Sequence, residues 1–316
     1  MIGYLSRRFL SFVLTLLLVS LLIFLVLYLI PGDPAQVIVG PEASKKQISK
    51  VREKLGLSGP LIYRYWEWLK DIFQGDMGNS IKYGLPVKRL IGSRLTVTLP
   101  LTGMAVFIGL ILAFPLGIIA ALRKDRSADW IISIIAQIGL SVPSFWLGLV
   151  FITIFATILN LFPAGGFVPW SDSPMRSLNA LFLPSLALGI ALSAELIRIL
   201  RSAILDVLNE EYIKVARSKG LSAKGILFKH VLSNSLLSVI TLFGLQVGRL
   251  VAGTIIIEEV FSLPGLGDLL INSVWRRDYP VIQGTVLVVS GFIIIINFIV
   301  DLLYGSLDPR IRLENR

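Results

Sequence analysis

Two carboxylates in a strongly apolar chain invite a catalytic reading. Gly265-Leu266-Gly267-Asp268 forms a G-x-G-D string, the pattern that intramembrane aspartyl proteases use, and Asp301 offers a second carboxyl group. That chemistry needs the two groups close enough to share a proton. Asp268 follows Pro264 in a connecting loop, and Asp301 lies near the opposite end of the last apolar stretch. The dyad is therefore not expected. With no cysteine there is no thiolate nucleophile, disulfide framework or Cys-based zinc site. One histidine, His230, leaves no cluster to hold a metal. The chain has no Gly-Lys dipeptide, which removes any G-x-x-x-x-G-K-[ST] phosphate loop. No catalytic, metal or cofactor centre is expected in this chain.

The remaining residues of chemical interest are charges inside apolar stretches: Glu195, Arg198, Arg249 and Asp301. Each costs several kcal/mol if left unpaired in hydrocarbon, so each needs a partner or a watery path. Glu195 and Arg198 stand at i, i+3 and can pair locally. Two readings of Arg249 stay open. It pairs with Glu195 between helices, or it faces a translocation path and meets a substrate carboxylate.

These charges must be positioned by membrane helices. The chain has 316 residues, 55% hydrophobic and 16% charged, with a mean hydropathy of +0.80. A soluble domain is roughly 25% charged, and disorder needs far fewer apolar residues. Six stretches are expected to span, each near or above the ~20 residues required: Phe9–Ile30, Val97–Leu122, Trp130–Phe162, Leu181–Leu200, Leu236–Ile257 and Val281–Leu303. The first exceeds the apolar core of a signal peptide and lacks a small-residue cleavage site, so it reads as a retained anchor. The third is too long for one straight helix, and Pro143 is expected to break or kink it near Ser141-Val142-Pro143-Ser144.

An even count puts both termini on one side. Fourteen basic residues fall on that side: Arg7 and Arg8, three in the 123–129 loop, six in the 201–235 loop and three in the tail. The opposing short loops hold three, Arg176, Arg276 and Arg277. The positive-inside rule makes the richer side cytoplasmic. The net charge of +10 thus reads as topology and not as a nucleic-acid patch. Segment 31–96 lies outside and reads as a small folded subdomain. Gln47–Leu55 and Leu61–Phe73 have helical periodicity and end at Gly56 and near Gly75. Charges of the 258–280 loop (Glu258, Glu259, Asp268, Arg276, Arg277, Asp278) either meet an external partner or close an outer gate, or are solvated, and solvation is the reading expected for any one of them. Gly248, Ala252 and Gly253 read as close-packing positions.

The 201–235 loop has more structure than a tether needs. Glu210 and Glu211 suit a helix start, Tyr212, Val215, Ala216 and Lys219 share helical spacing, and Lys219-Gly220 reads as a stop. Ser222 can cap a second helix with Ile226, Leu227, His230 and Val231 on a partly apolar face. On periodicity alone this hairpin either docks a partner or lies on anionic lipid.

At this point the residues resemble a known family. Glu211-Tyr212-Ile213-Lys214-Val215-Ala216-Arg217-Ser218-Lys219-Gly220-Leu221, followed by His230-Val231-Leu232-Ser233-Asn234, is similar to the cytoplasmic EAA loop of ABC importer permeases of the dipeptide, oligopeptide and nickel type. Lys214 stands where the general pattern has its leading Glu. Ordered matches run along the chain: Pro31-Gly32-Asp33-Pro34, Leu55-Gly56-Leu57, Gly75-Asp76-Met77-Gly78-Asn79-Ser80, Ser141-Val142-Pro143-Ser144-Phe145-Trp146, Pro163-Ala164-Gly165-Gly166, Val260-Phe261-Ser262-Leu263-Pro264-Gly265-Leu266-Gly267, Arg277-Asp278-Tyr279-Pro280 and Asp308-Pro309-Arg310. The long first external segment resembles the first, B-type permease of a pair.

The resemblance implies an all-α polytopic membrane protein. It would have six transmembrane helices in a type I ABC importer permease (MetI-like) core, plus a small external subdomain after helix 1. Residues 1–95 would be anchor and subdomain, 96–305 the permease domain with its EAA loop at 210–235, and 306–316 a cytoplasmic tail. It implies a docking loop carrying Glu211, Tyr212, Ala216, Arg217, Gly220, Leu221, His230 and Asn234. Implied partners are a second, C-type permease, two cytoplasmic ATPases holding ATP and Mg, an extracytoplasmic substrate-binding protein, and membrane lipid, with no nucleic acid. The implied location is a bacterial or archaeal plasma membrane. Cargo is set by the binding protein, and di- or oligopeptides are expected ahead of nickel chelates, glutathione-like compounds or oligosaccharides. An ion-coupled secondary transporter is the rival class. It would need several midplane acids and broken helices, and Glu195 is the only acid well inside a span.

Overall fold

The computed structural model describes residues 2–29, 44–54 and 59–307. Pro31-Gly32-Asp33-Pro34, Leu55-Gly56-Leu57 and Asp308-Pro309-Arg310 lie outside the described residues, as does the expected stop at Gly56. In chain order the helices are α1 (Ile2–Leu29), α2 (Lys45–Lys54), α3 (Leu61–Phe73), α4 (Val87–Leu122), α5 (Ser127–Ser141), α6 (Ser144–Phe151), α7 (Pro174–Asn209), α8 (Glu211–Ser218), α9 (Ala223–Gly225), α10 (Ser233–Val260), α11 (Leu266–Trp275) and α12 (Tyr279–Leu307). Ile152–Ile158 after α6 and Ile226–Leu232 after α9 are π-helical. No strand occurs among the described residues; one isolated bridge joins Asn79 and Pro86.

Among the described residues, four helices are long and apolar enough to cross a membrane, and α5 with α6 and its π-helical extension makes five if counted as one bent span. That pair bends by 97° where Val142, in extended conformation, ends α5 and Pro143 precedes α6. Proline disfavours the helical conformation in the residue before it, so the break falls where the sequence places it. The remaining expected span, 236–257, is helical within α10.

The chain forms two compact units. In the unit built on Thr98–Leu263, α7 packs against α5, α6 and α10. Its start is set by Ser173, whose hydroxyl accepts from the Arg176 N–H at 3.4 Å, with Pro174 in the first turn. It crosses α4 at two glycines. A Cβ on Gly189 would meet the Ile108 side chain at 2.8 Å and the Ala105 carbonyl at 3.0 Å, and one on Gly109 would meet Leu192 at 2.8 Å. Only glycine lets these backbones approach so closely.

In the other unit, Val87 and Ile91 of α4 meet Leu266 and Leu269 of α11 and Val281 of α12 in one buried cluster. A smaller cluster joins Phe24 of α1 to Tyr65 and Leu69 of α3. α3 ends as expected at Gly75 (φ +79°), where the Asp76 N–H bonds to the Asp71 carbonyl at 2.9 Å.

Candidate functional site

The 201–235 segment is tighter than a 35-residue loop. α7 runs on to Asn209, and from Ala223 the chain is helical through to Val260. Between them α8 stands on the core of its own unit. Ile213 and Ala216 are buried against Ala121 of α4, Leu200 and Ile204 of α7, Ile226 and Val231 of the next turn, and Val239 of α10. α8 ends in a Schellman motif. Gly220 sits at φ +78°, its N–H bonds to the Arg217 carbonyl at 3.0 Å, and the Leu221 N–H bonds to the Ala216 carbonyl at 3.3 Å. Ser222 then caps the following helix, accepting from the Gly225 N–H at 3.2 Å.

Of the expected docking residues, Glu211, Tyr212, Arg217, Gly220, Leu221 and Asn234 are exposed and His230 is half-buried. The Asn234 side-chain amide donates to the His230 carbonyl at 2.6 Å. Ala216, expected among the docking residues, is 8% exposed and packs inward on the core beneath α8. Val215 and Phe228 are outward, large and apolar, at 53% and 65% exposure. Phe228 was not singled out from sequence; its signal is a large aromatic directly before Lys229 and His230.

The intramembrane charges sort into separate contacts. The Gln246 side-chain amide donates to Glu195, and Arg249 Nη1 lies 3.6 Å from the same carboxylate. The Arg249 side chain is 75% exposed against 22% for Glu195. It shares its side of α10 with exposed Leu242, Leu245 and Ile256. Arg198 is exposed and, among the described residues, makes no ion pair with Glu195, so the local i, i+3 pairing does not form. Asp301 pairs with Arg8 at 2.7 Å, and Asp268 pairs with Arg94 at 3.2 Å. Each of these two carboxylates thus has its own cation.

Two charges expected to be solvated are instead buried. Glu258 is fully buried, and the Thr98 hydroxyl donates to it at 2.6 Å. Asp278, also buried, accepts from the Ser80 hydroxyl and from the Ile81 and Lys82 N–H groups at 3.1 and 3.2 Å. Buried carboxylates persist only when so satisfied. Asp278 thereby ties the Gly75–Ser80 signature to the Arg277–Pro280 one. In the same way Gly166 donates to the Phe261 carbonyl at 2.9 Å, joining the Pro163–Gly166 and Val260–Gly267 signatures. A further pair was not singled out from sequence: Arg201 grips Asp129 with two bonds, at 2.6 and 2.7 Å. The Asp125 N–H adds a third bond to that carboxylate at 3.0 Å.

This geometry offers a short helix seated on the core with Val215, Leu221 and Phe228 exposed beside it, and a polar cluster within apolar helices, an arrangement suited to binding. Residues 113–313 match the family described as binding-protein-dependent transport system inner membrane component, and residues 1–102 match the N-terminal component of such systems. Glutathione transport system permease proteins GsiC of Escherichia coli (strain K12) and Salmonella typhi are each 41% identical over 312 residues, 99% of both chains. An inward-facing methionine ABC transporter, MetNI, superposes with a TM-score of 0.57 at 19% identity, covering 69% of this chain and 96% of that one, a likeness of fold. The chain belongs to the family of binding-protein-dependent transport system inner membrane components, and is an ABC importer permease.

Proposed function

We infer that the chain is the B-type permease of an ATP-driven importer of short peptides, with glutathione the leading cargo. The observation that carries this reading is identity of 41% across 99% of the chain with glutathione transport permeases. Both termini are cytoplasmic, on the positive-inside count. ATP and Mg are held by two partner ATPases, and a C-type permease completes the path. An external binding protein delivers cargo. α8 and the turn at Gly220 seat in a groove of one ATPase. Because Ile213 and Ala216 lock α8 to α4, α7 and α10, ATPase movement passes to the spans as rigid displacement. In vesicles holding all partners, glutathione accumulates and dipeptides compete. Uptake of a nickel chelate or an oligosaccharide with no effect of glutathione contradicts the cargo reading.

Arg249 faces the path and Glu195 with Gln246 holds it there. An arginine this exposed in mid-helix is too costly against lipid, and a guanidinium has five donors, while Glu195 stands 3.6 Å away as an ion pair beyond hydrogen-bond distance. A peptide carboxylate is the complementary ligand. Arg249→Gln is expected to raise KM about tenfold, about 1.4 kcal/mol of binding, with the permease still assembled. The exchange Glu195→Arg with Arg249→Glu restores assembly but not affinity. Full recovery of uptake in the exchange instead marks a purely structural pair.

A further inference from the structure

Helix α3 belongs to the segment between the first two spans, which the sequence reading sets outside the membrane as a folded subdomain. Its contacts say more about its depth. The Tyr65 hydroxyl bonds to Ser20 Oγ at 2.8 Å and reaches the Leu17 carbonyl at 3.3 Å. The Tyr65 ring meets Phe24 edge-on at 5.5 Å between centroids, and Trp68 lies 5.8 Å from the same ring. Leu17, Ser20 and Phe24 fall inside Ser6–Leu25, the apolar stretch of α1 long enough to cross a membrane. At about 1.5 Å per residue, Ser20 and Phe24 lie roughly 8–14 Å before the end of α1 at Leu29. A helix resting there is at membrane depth.

The apolar arc of α3 is wider than the strip α1 covers. At 100° per residue, Ile62, Phe73 and Trp66 continue the arc from Tyr65 and Leu69, and Lys70 closes it, with Tyr63 beyond Lys70 next to Glu67. Ile62, Trp66 and Phe73 are 58%, 59% and 81% exposed. Arg64, Glu67 and Asp71 occupy the opposite side. Tyr and Trp beside a charged edge suit the boundary between headgroups and acyl chains, where amphipathic helices sit about 5–10 Å deep. The helix carries Arg64 and Lys70 against Glu67 and Asp71, so its affinity comes from apolar and aromatic area, not from attraction to anionic headgroups.

We propose that α3 is an interfacial helix, lying in the membrane plane against α1 with Ile62, Trp66 and Phe73 in the lipid boundary of one leaflet. This rests on α1 crossing the membrane and not on the cargo or the energy source.

The natural absence of cysteine makes depth measurable. The full chain carries one nitroxide at Ile62→Cys, Trp66→Cys, Phe73→Cys or Glu67→Cys, and is assembled with cysteine-free partners in phosphatidylcholine vesicles. Collision with oxygen and with a water-soluble nickel chelate is then compared. Labels at 62, 66 and 73 are expected to favour oxygen and the label at 67 the chelate, unchanged when phosphatidylglycerol is added. Chelate access at all four positions overturns the proposal. So does shielding of 62, 66 and 73 from both reagents, which marks a protein partner on this face. Leu22→Cys on α1 is the separate control, because chelate access there would mean that α1 does not span. Uptake by each labelled transporter verifies that it is folded.

Discussion

Gly220→Asp is expected to uncouple the transporter: ATP-driven uptake falls at least about tenfold while the permease reaches the membrane at its normal level. Gly220 adopts φ +78°, a conformation that costs an ordinary L-residue about 1–2 kcal/mol and that Asn and Asp tolerate best. A Cβ there meets nothing within 4 Å in this chain, so the fold of α8 survives the change. What changes is the exposed tip beside Leu221, which gains bulk and a negative charge among Arg217, Lys219 and Lys224. Gly220→Asn separates the causes, since it keeps the backbone and omits the charge. Co-purification of the ATPases, together with uptake, reads the outcome. Normal values of both in the Asp variant would remove the docking assignment.

Arg201→Ala is expected to lower the stability of the permease by about 2 kcal/mol, read as an earlier thermal transition in detergent. Breaking a fully buried pair costs ~3–5 kcal/mol; exposure of the Arg201 side chain to 28% reduces this, while Asp129 at 5% is left almost without water. The two bonds from Arg201 Nε and Nη2 use the fork of the guanidinium, which lysine lacks. Arg201→Lys therefore recovers only part of the loss. Because Leu200 and Ile204 flank Arg201 and support α8, the same variant loosens the docking loop. An unchanged transition in Arg201→Ala contradicts the structural role given to this pair.

Much of the fold was legible because local chemistry determines it. Periodicity and Gly75 delimit α3, Pro143 breaks the long third stretch, and Gly220 with Ser222 separates α8 from the helix after it. These features depend on neighbours a few residues away. Features set by distant neighbours were not legible. Nothing near Asp278 announces Ser80, 198 positions earlier, and nothing near Glu258 announces Thr98, so both read as solvent charges. α11 was missed because Leu266–Trp275, at ten residues, is too short to stand out between Pro264 and Arg276. The end of α7 was set at Leu200 because Arg201 and Asp206 resemble loop charges, yet the helix runs on with Ala203 and Ile204 buried. Ala216 lay on the expected helix, but spacing alone does not say which face meets the chain's own core.

We propose that this chain is a path-forming subunit whose motor belongs to other chains. Uptake in sealed vesicles tests it most directly, with this permease, its second permease, the ATPases and the binding protein present, and with either ATP or an imposed ion gradient as the energy source. Accumulation of glutathione with ATP alone, lost when either the ATPases or the second permease is left out, is the predicted result. Accumulation driven by the gradient without ATP, or by this chain in the absence of its partners, would contradict it.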